Sequence, residues 1–195
     1  MKIFLKSVLV LFVLALGSAQ SASPAAAVNP TIAEFFLPDD MAAAQKAFLA
    51  TVNGLGKGDE VYLCAYSFTW LPIVDALVKD QAAGAKVHLL LDRSESLTPT
   101  EKRALGELGT IEVTLTTAGA TSKATGAIFH SKAFVIQHAD GSVACWEGSM
   151  NFTASGWNEG NTARLFADKT WAARFVSYFA EHKAWALAHP PKSGG

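Results

Sequence analysis

Two residues apart, His130 and Lys132 form an H-x-K pair, and Gly148-Ser149-Met150-Asn151 follows within twenty residues. An imidazole, an ammonium, a hydroxyl and an amide suit chemistry on a phosphodiester. A phosphoryl group needs cationic and amide donors for its non-bridging oxygens, and a nucleophile in line with the leaving oxygen. Lys132 and Asn151 fit the first role, with Ser149 beside them, and His130 fits the second. An imidazole that passes through a charged form also needs an acid nearby, and Glu159 in Asn158-Glu159-Gly160-Asn161 is the candidate. No His, Cys and Asp spacing suggests a metal site, and Gly54 to Gly58 lacks the Lys-Ser/Thr of a nucleotide-binding loop, so neither metal nor cofactor is expected.

These side chains need a scaffold that brings them together, and a β-hairpin supplies one. Apolar-rich runs Ala127 to Gln137 and Ser142 to Trp146 flank Asp140-Gly141, a dipeptide suited to a tight primed turn. With those two residues as the whole loop, His130 faces Asn151 and Lys132 faces Ser149. Alternation along a strand then puts all four on one side. The irregular run Ala118 to Gly126 leads into the His130 strand, either as a loop over the site or as a plain solvated connection.

Upstream, strands and helices alternate. Asp39 or Asp40 is placed to cap a helix from about Met41 to Val52, and Gly54 to Asp59 turns the chain. Glu60 to Phe68 reads as a strand buried on both faces, Pro72 fits the first turn of a helix ending at Gly84, and Lys86 to Leu91 closes a βαβ unit with Asp92 and Arg93 at its end. Thr98-Pro99-Thr100-Glu101 is a capping-box pattern opening a helix to about Leu108, and Ile111 to Thr116 is another strand. Downstream, Asn161 to Ala167 reads as a short strand. Lys169 to Ala188 reads as a helix with Trp171, Phe175, Val176, Phe179 and Trp185 near helical spacing, ended by Pro190-Pro191. The expectation is an α/β fold: one domain with a mixed sheet and helices on both faces.

The spacing of His130-Ser131-Lys132 followed by Gly148-Ser149-Met150-Asn151 resembles the phospholipase D superfamily, whose motif is H-x-K-x4-D with a downstream G-S-x-N and a later Glu. The likeness extends upstream to about Phe36 through the strand-like VYLCAYSFT, and is nearest to the small single-motif bacterial endonucleases of that superfamily. It implies a phospholipase D-like fold, a phosphohistidine at His130, roles for Lys132, Ser149, Asn151 and Glu159, and a second histidine as proton donor. One chain carries one H-x-K, so two copies are expected to meet in a homodimer. The motif's Asp position holds Gln137, whose parity along the strand is opposite to that of His130 and Lys132.

Composition frames the substrate. Met1 to Ala27 carries Lys2 and Lys6, an apolar stretch Val8 to Leu16 and small residues before candidate cleavage sites after Ala19, Ala22 or Ala27. It reads as a signal peptide over 1–27, which places the protein in the periplasm or outside the cell, without stable membrane insertion after cleavage. The catalytic domain is then 28–191 and the tail 192–195. Taking the two lysines from the 16 Lys plus Arg leaves 14 against 17 Asp plus Glu, a balance of −3. A nucleic-acid groove must then be a local patch, with Arg93, Lys123, Lys132 and Arg164 as its candidates. A phospholipid substrate is the alternative, favoured by the acidic balance and by Phe68, Trp70 and Leu71. A non-catalytic phosphate-binding module is another, motivated by Gln137. Trp70, Trp146 and Trp157 fit core packing better than stacking on bases, and His88, His138, His182 and His189 read as ordinary histidines. Cys64 and Cys145 sit in strand-like runs, either bridged or as two buried thiols.

Overall fold

The apolar run Ala133 to Ile136 is buried on both sides, as a strand at the middle of a two-sided sheet must be. The computed structural model describes residues 31–117 and 128–190. The elements run β1 (Thr31–Phe36), α1 (Met41–Val52), β2 (Glu60–Ala65), α2 (Leu71–Ala82), β3 (Lys86–Asp92) and α3 (Pro99–Glu107). They continue through β4 (Glu112–Thr116), β5 (Lys132–Gln137), β6 (Val143–Gly148), β7 (Thr162–Phe166) and α4 (Lys169–Ala188). Among the described residues seven strands form one sheet in the order β1-β7-β6-β5-β2-β3-β4. The β2-β3 and β3-β4 pairs are parallel and the others antiparallel, so the mixed α/β sheet expected from the alternation is present. The segment 1–27 read as a signal peptide, the run Ala118 to Gly126 with Lys123, and the expected tail 192–195 lie outside the described residues. Among the described helices, none is long and apolar enough to cross a membrane.

Helices cover both faces unequally. Phe48, Ile73, Leu77 and Ala104 from α1, α2 and α3 pack with Leu63, Phe134 and Trp146 on one face, while Ala172, Phe175 and Phe179 of α4 pack with Cys64, Val135 and Cys145 on the other. Phe48 sits inside an aromatic cage, with ring centroids 5.0 Å from Trp146, 5.3 Å from Phe134 and 5.5 Å from both Phe152 and Trp157. Trp70, Trp146 and Trp157 are core residues, as their composition suggested. Phe68 and Trp70 are buried, so of the three apolar residues that favoured a lipid substrate only Leu71 keeps part of its surface exposed.

Three local expectations need correction. Asp40 precedes α1 but turns its carboxylate to the Phe36 N–H (2.8 Å) and makes no cap bond to the helix. The strand from Glu60 ends at Ala65, because the following residues leave the sheet to meet the chain after Asn151: Phe152 N–H donates to Ser67 O, and Thr69 and Trp70 N–H donate to Phe152 O. The capping box closes only on one side. Thr98 Oγ1 accepts the Glu101 N–H (3.2 Å), but the Glu101 carboxylate, fully buried, accepts the Phe68 N–H at 2.8 and 3.0 Å instead of reaching back.

The hairpin register also shifts by one residue. His138 N–H donates to Ser142 O and Gly141 N–H to His138 O, so the loop is the three residues Ala139, Asp140 and Gly141, with Gly141 at φ +79°. This is a turn closed by a residue in the left-handed region, where glycine is not strained. Asp140 favours it by accepting the Ser142 N–H (2.8 Å). Ala133 therefore faces Glu147, and the ladder ends at Lys132 and Gly148. His130, Ser149 and Asn151 lie beyond it and do not pair as expected. Cys64 and Cys145 are free and buried, and β5 runs between their strands. Two strand spacings, roughly 10 Å, exceed a disulfide's Cα reach.

The buried Glu101 carboxylate is expected to hold the 67–70 turn in place. Glu101→Ala should cost about 2–4 kcal/mol in urea denaturation. Burial raises the Glu101 pKa above its ordinary 4.5, so its stabilising contribution is full below that value and falls as pH rises through the folded pKa. Glu101→Gln should lose less than Ala at neutral pH and should flatten that dependence.

Candidate active site

Lys132 is the first residue of β5, opposite Ala65, and only 6% exposed. Its ammonium donates to the carbonyl of His130 (3.0 Å) and stands 5.2 Å from the Tyr66 ring centroid. Burial lowers its pKa to about 8, so the cation is present at neutral pH but weakly held. His130 is exposed and meets the edge of Tyr66 at 4.7 Å. Its pKa is lowered first by burial and then by the Lys132 charge, while Asp92 acts in the opposite direction. A largely neutral imidazole beside a buried cation is the protonation state a nucleophile toward phosphorus needs.

Both residues line an open cleft of about 440 Å³ with Ser149, Glu147, Arg164, Glu34 and Phe36. The structure therefore brings His130, Lys132 and Ser149 together even though the predicted pairing was off by one. Gly148 explains why its motif begins with glycine: a Cβ there would stand 2.5 Å from the Thr162 carbonyl oxygen. Ser149 does structural work as well. Its Oγ donates to Asn161 Oδ1 (2.9 Å) and accepts the Thr162 N–H (3.0 Å), clamping the end of β6 to the start of β7. Asn151 is half-buried, its Oδ1 makes no hydrogen bond among the described residues, and it does not line the cleft. Its backbone is fixed by Gly156, where a Cβ would come within 2.3 Å of the Asn151 carbonyl oxygen. Glu159 is exposed and outside the cleft lining. Gln137 is half-buried at the far end of β5, paired with Glu60 and Val143, on the face opposite Lys132 as its parity required.

The candidate basic patch is largely spent on the protein itself. Arg93 donates to the carbonyls of Leu115 and His189, both at 3.3 Å, and Arg164 Nε donates to Glu147 at 2.7 Å. Sequence reasoning missed Tyr66, Asp92 and Glu95. Tyr66 packs against both H-x-K side chains, and its hydroxyl pKa is raised by burial and by a hydrogen bond to Glu95. The signal available was position: Tyr66 and Asp92 lie at the carboxyl ends of parallel strands, where α/β sheets place ligands. Among the described residues no three His, Cys, Asp or Glu side chains gather as metal ligands.

Comparison with known proteins agrees with this geometry. The family model described as "Cardiolipin synthase, PLD-like domain" matches residues 55–183, which include every motif residue named above. No curated protein matches the chain. Among solved structures, Nuc from Salmonella typhimurium, a phospholipase D family member, superposes with TM-score 0.62 at 20% identity, covering 77% of this chain and 91% of that one. NucT from Helicobacter pylori gives 0.63 at 19% identity, covering 77% and 93%. A polyphosphate kinase from Porphyromonas gingivalis gives 0.53 at 14% identity over 75% of this chain but only 22% of its own.

Lys132 is expected to set the pH dependence of anion binding at this cleft. Sulfate, whose charge is constant over the range, should bind more weakly as pH rises through about 8, where Lys132 loses its proton. Lys132→Ala should weaken binding about tenfold and remove that dependence, as measured by calorimetric titration.

Proposed function

The chain belongs to the phospholipase D-like family, and from that premise we propose that it is a metal-independent phosphodiesterase, a nuclease cleaving DNA or RNA, that works through a phosphohistidine in a homodimer. The observation that carries this reading is the pairing of an exposed imidazole of lowered pKa with a buried ammonium at one cleft. His130 attacks phosphorus, forming a P–N bond as the alkoxide leaves and takes a proton from the partner copy's His130. Water then attacks the phosphohistidine, passing its proton to the partner's now neutral His130, and the P–N bond breaks to free the imidazole. Lys132, Ser149 and Asn151 of both copies stabilise the phosphoryl oxygens, which supplies the charge a divalent ion otherwise would. Glu159, the sequence-based candidate for orienting the imidazole, would have to swing toward His130 from its exposed position.

The dimer follows from counting groups. In-line displacement needs an acid opposite the nucleophile, and one chain supplies one H-x-K. Two His130 side chains on either side of one phosphorus require a two-fold axis beside the cleft. Phe36, which lines the cleft and is 61% exposed, would then be a candidate for contact with the partner. A phospholipid substrate is the second reading, favoured by the cleft's Glu34 and exposed Phe36, which suit a cationic headgroup and an apolar surface better than a polyanion. The sequence-based expectation of export, as a periplasmic or secreted enzyme, belongs to the same proposal.

Purified protein in excess EDTA should cleave plasmid DNA and leave phospholipid vesicles intact; the reverse outcome selects the lipid reading. Activity lost in EDTA and restored by a divalent ion would overturn the mechanism. His130→Asn should abolish turnover. Mixing it equally with wild type after subunit exchange should leave about a quarter of the activity, since only wild-type pairs hold two histidines. Activity linear in the wild-type fraction would remove the composite site.

A further inference from the structure

In this structure the carboxylate whose charge acts on His130 is that of Asp92. Asp92, the last residue of β3, is 1% exposed, and its two oxygens divide their work. Oδ1 accepts the Ser94 N–H (2.8 Å), the Ser94 hydroxyl and the Glu95 N–H (3.3 Å). Oδ2 accepts the N–H of Phe129, the residue immediately before His130. Phe129 precedes the first strand residue of β5, so its peptide has no ladder to join. We propose that Asp92 is the positioning residue for His130, fixing the backbone from which the imidazole enters the cleft and supplying the negative charge that favours its protonated form. This rests on the role given to His130 above.

The assignment follows from comparing the charges around the ring. Among the described residues, Tyr66 from the end of β2 meets the imidazole by its edge, and Lys132 of β5 opposes its protonation. Of the cleft carboxylates, Glu147 is engaged by Arg164 of β7, and Glu34 stands on the edge strand β1. Glu159 is exposed and outside the cleft lining. Asp92 alone combines burial, a fixed geometry and a bond to the adjoining peptide.

Asp92→Asn separates its two halves. The amide oxygen will turn toward the three donors at Ser94 and Glu95, leaving an NH₂ against the Phe129 N–H. The midpoint of the His130 imidazole, followed by NMR, should fall, because the charge that favours its protonated form is gone. Turnover should drop about tenfold with little change in KM. Ser94→Ala removes a hydroxyl from Oδ1 but keeps the carboxylate and its Phe129 bond, so it should lower stability and leave the midpoint in place. A merely structural Asp92 would lower stability in both variants and move the midpoint in neither, and that result overturns the proposal. Should Asp92→Asn fail to fold, the wild-type Phe129 amide decides: slow hydrogen exchange and a far-downfield proton are expected, and rapid exchange overturns the proposal. The midpoint and the amide are read without turnover, so an inactive wild-type protein would refute the phosphodiesterase reading while leaving Asp92 tested.

Discussion

The site exists because backbone groups just past the ends of the central strands must be hydrogen-bonded without a sheet to do it. β5 begins at Lys132 and β6 stops at Gly148, and the motif residues lie on either side of that boundary. A buried peptide group without a partner costs free energy comparable to a lost hydrogen bond. Side chains take over the ladder's work. Asp92 receives Phe129 N–H, Lys132 donates to His130 O, Ser149 Oγ receives Thr162 N–H, and Glu101 receives Phe68 N–H. The first three of these contacts fix the main chain at or next to a residue that lines the cleft, and the fourth holds the turn that bonds Phe152, next to Asn151. The chemistry and the strand termination are therefore one feature of the fold.

Packing makes those ends rigid. Phe48 is gripped by Trp146 from the strand before Gly148, by Phe152 just after Asn151, and by Trp157 in the turn that carries Gly156. One residue of α1 thus ties together both flanks of the G-S-x-N segment. The 67–70 turn adds a second tie, because Ser67, Thr69 and Trp70 bond both backbone groups of Phe152. Glu101 in turn holds that turn from α3. A chain of buried contacts links α1, α3 and the end of β2 to the position of Asn151. Preorganisation of this kind lets a phosphoryl site act without moving when charge develops.

Much of this was legible in sequence, for identifiable reasons. The helices Met41–Val52 and Lys169–Ala188 coincide with their expected ranges, the second because its aromatic residues recur near 3.6 and Pro190 ends it. The two-sided strand at Ala133 to Ile136 announces itself by an unbroken apolar run. Two of the misread features involve a polar side chain with two available partners. Asp40 had a helix end and the Phe36 peptide to choose between, and Glu101 had the Thr98 peptide and a buried turn; both took the tertiary partner. Asp140-Gly141 serves a two-residue or a three-residue loop equally well by local chemistry, and only the pairing of Phe134 with Trp146 decides. For Tyr66 and Asp92 the sequence offered only their position at the ends of parallel strands, because what brings them to the site is the approach of segments about 40 to 65 residues away.

The electrostatics of the cleft follow from putting two bases where one is buried. Lys132 is held near the lower limit at which a lysine remains charged at neutral pH, and its charge in turn helps keep His130 deprotonated. A phosphate entering the cleft reverses both pressures. Its negative charge favours both the ammonium and a protonated imidazole; in the proposed dimer the partner's His130 would give up that proton as the P–N bond forms and regain one when water attacks. Asp92 limits how far the reversal has to go, because its fixed charge already offsets part of Lys132's effect on the imidazole. Arg164 contributes little to this balance while it remains paired with Glu147. The positive charge of the cleft therefore rests mainly on one desolvated lysine per chain. In a chain with more acidic than basic residues, the proposed phosphodiester substrate would be held by local geometry and charge instead of by long-range attraction.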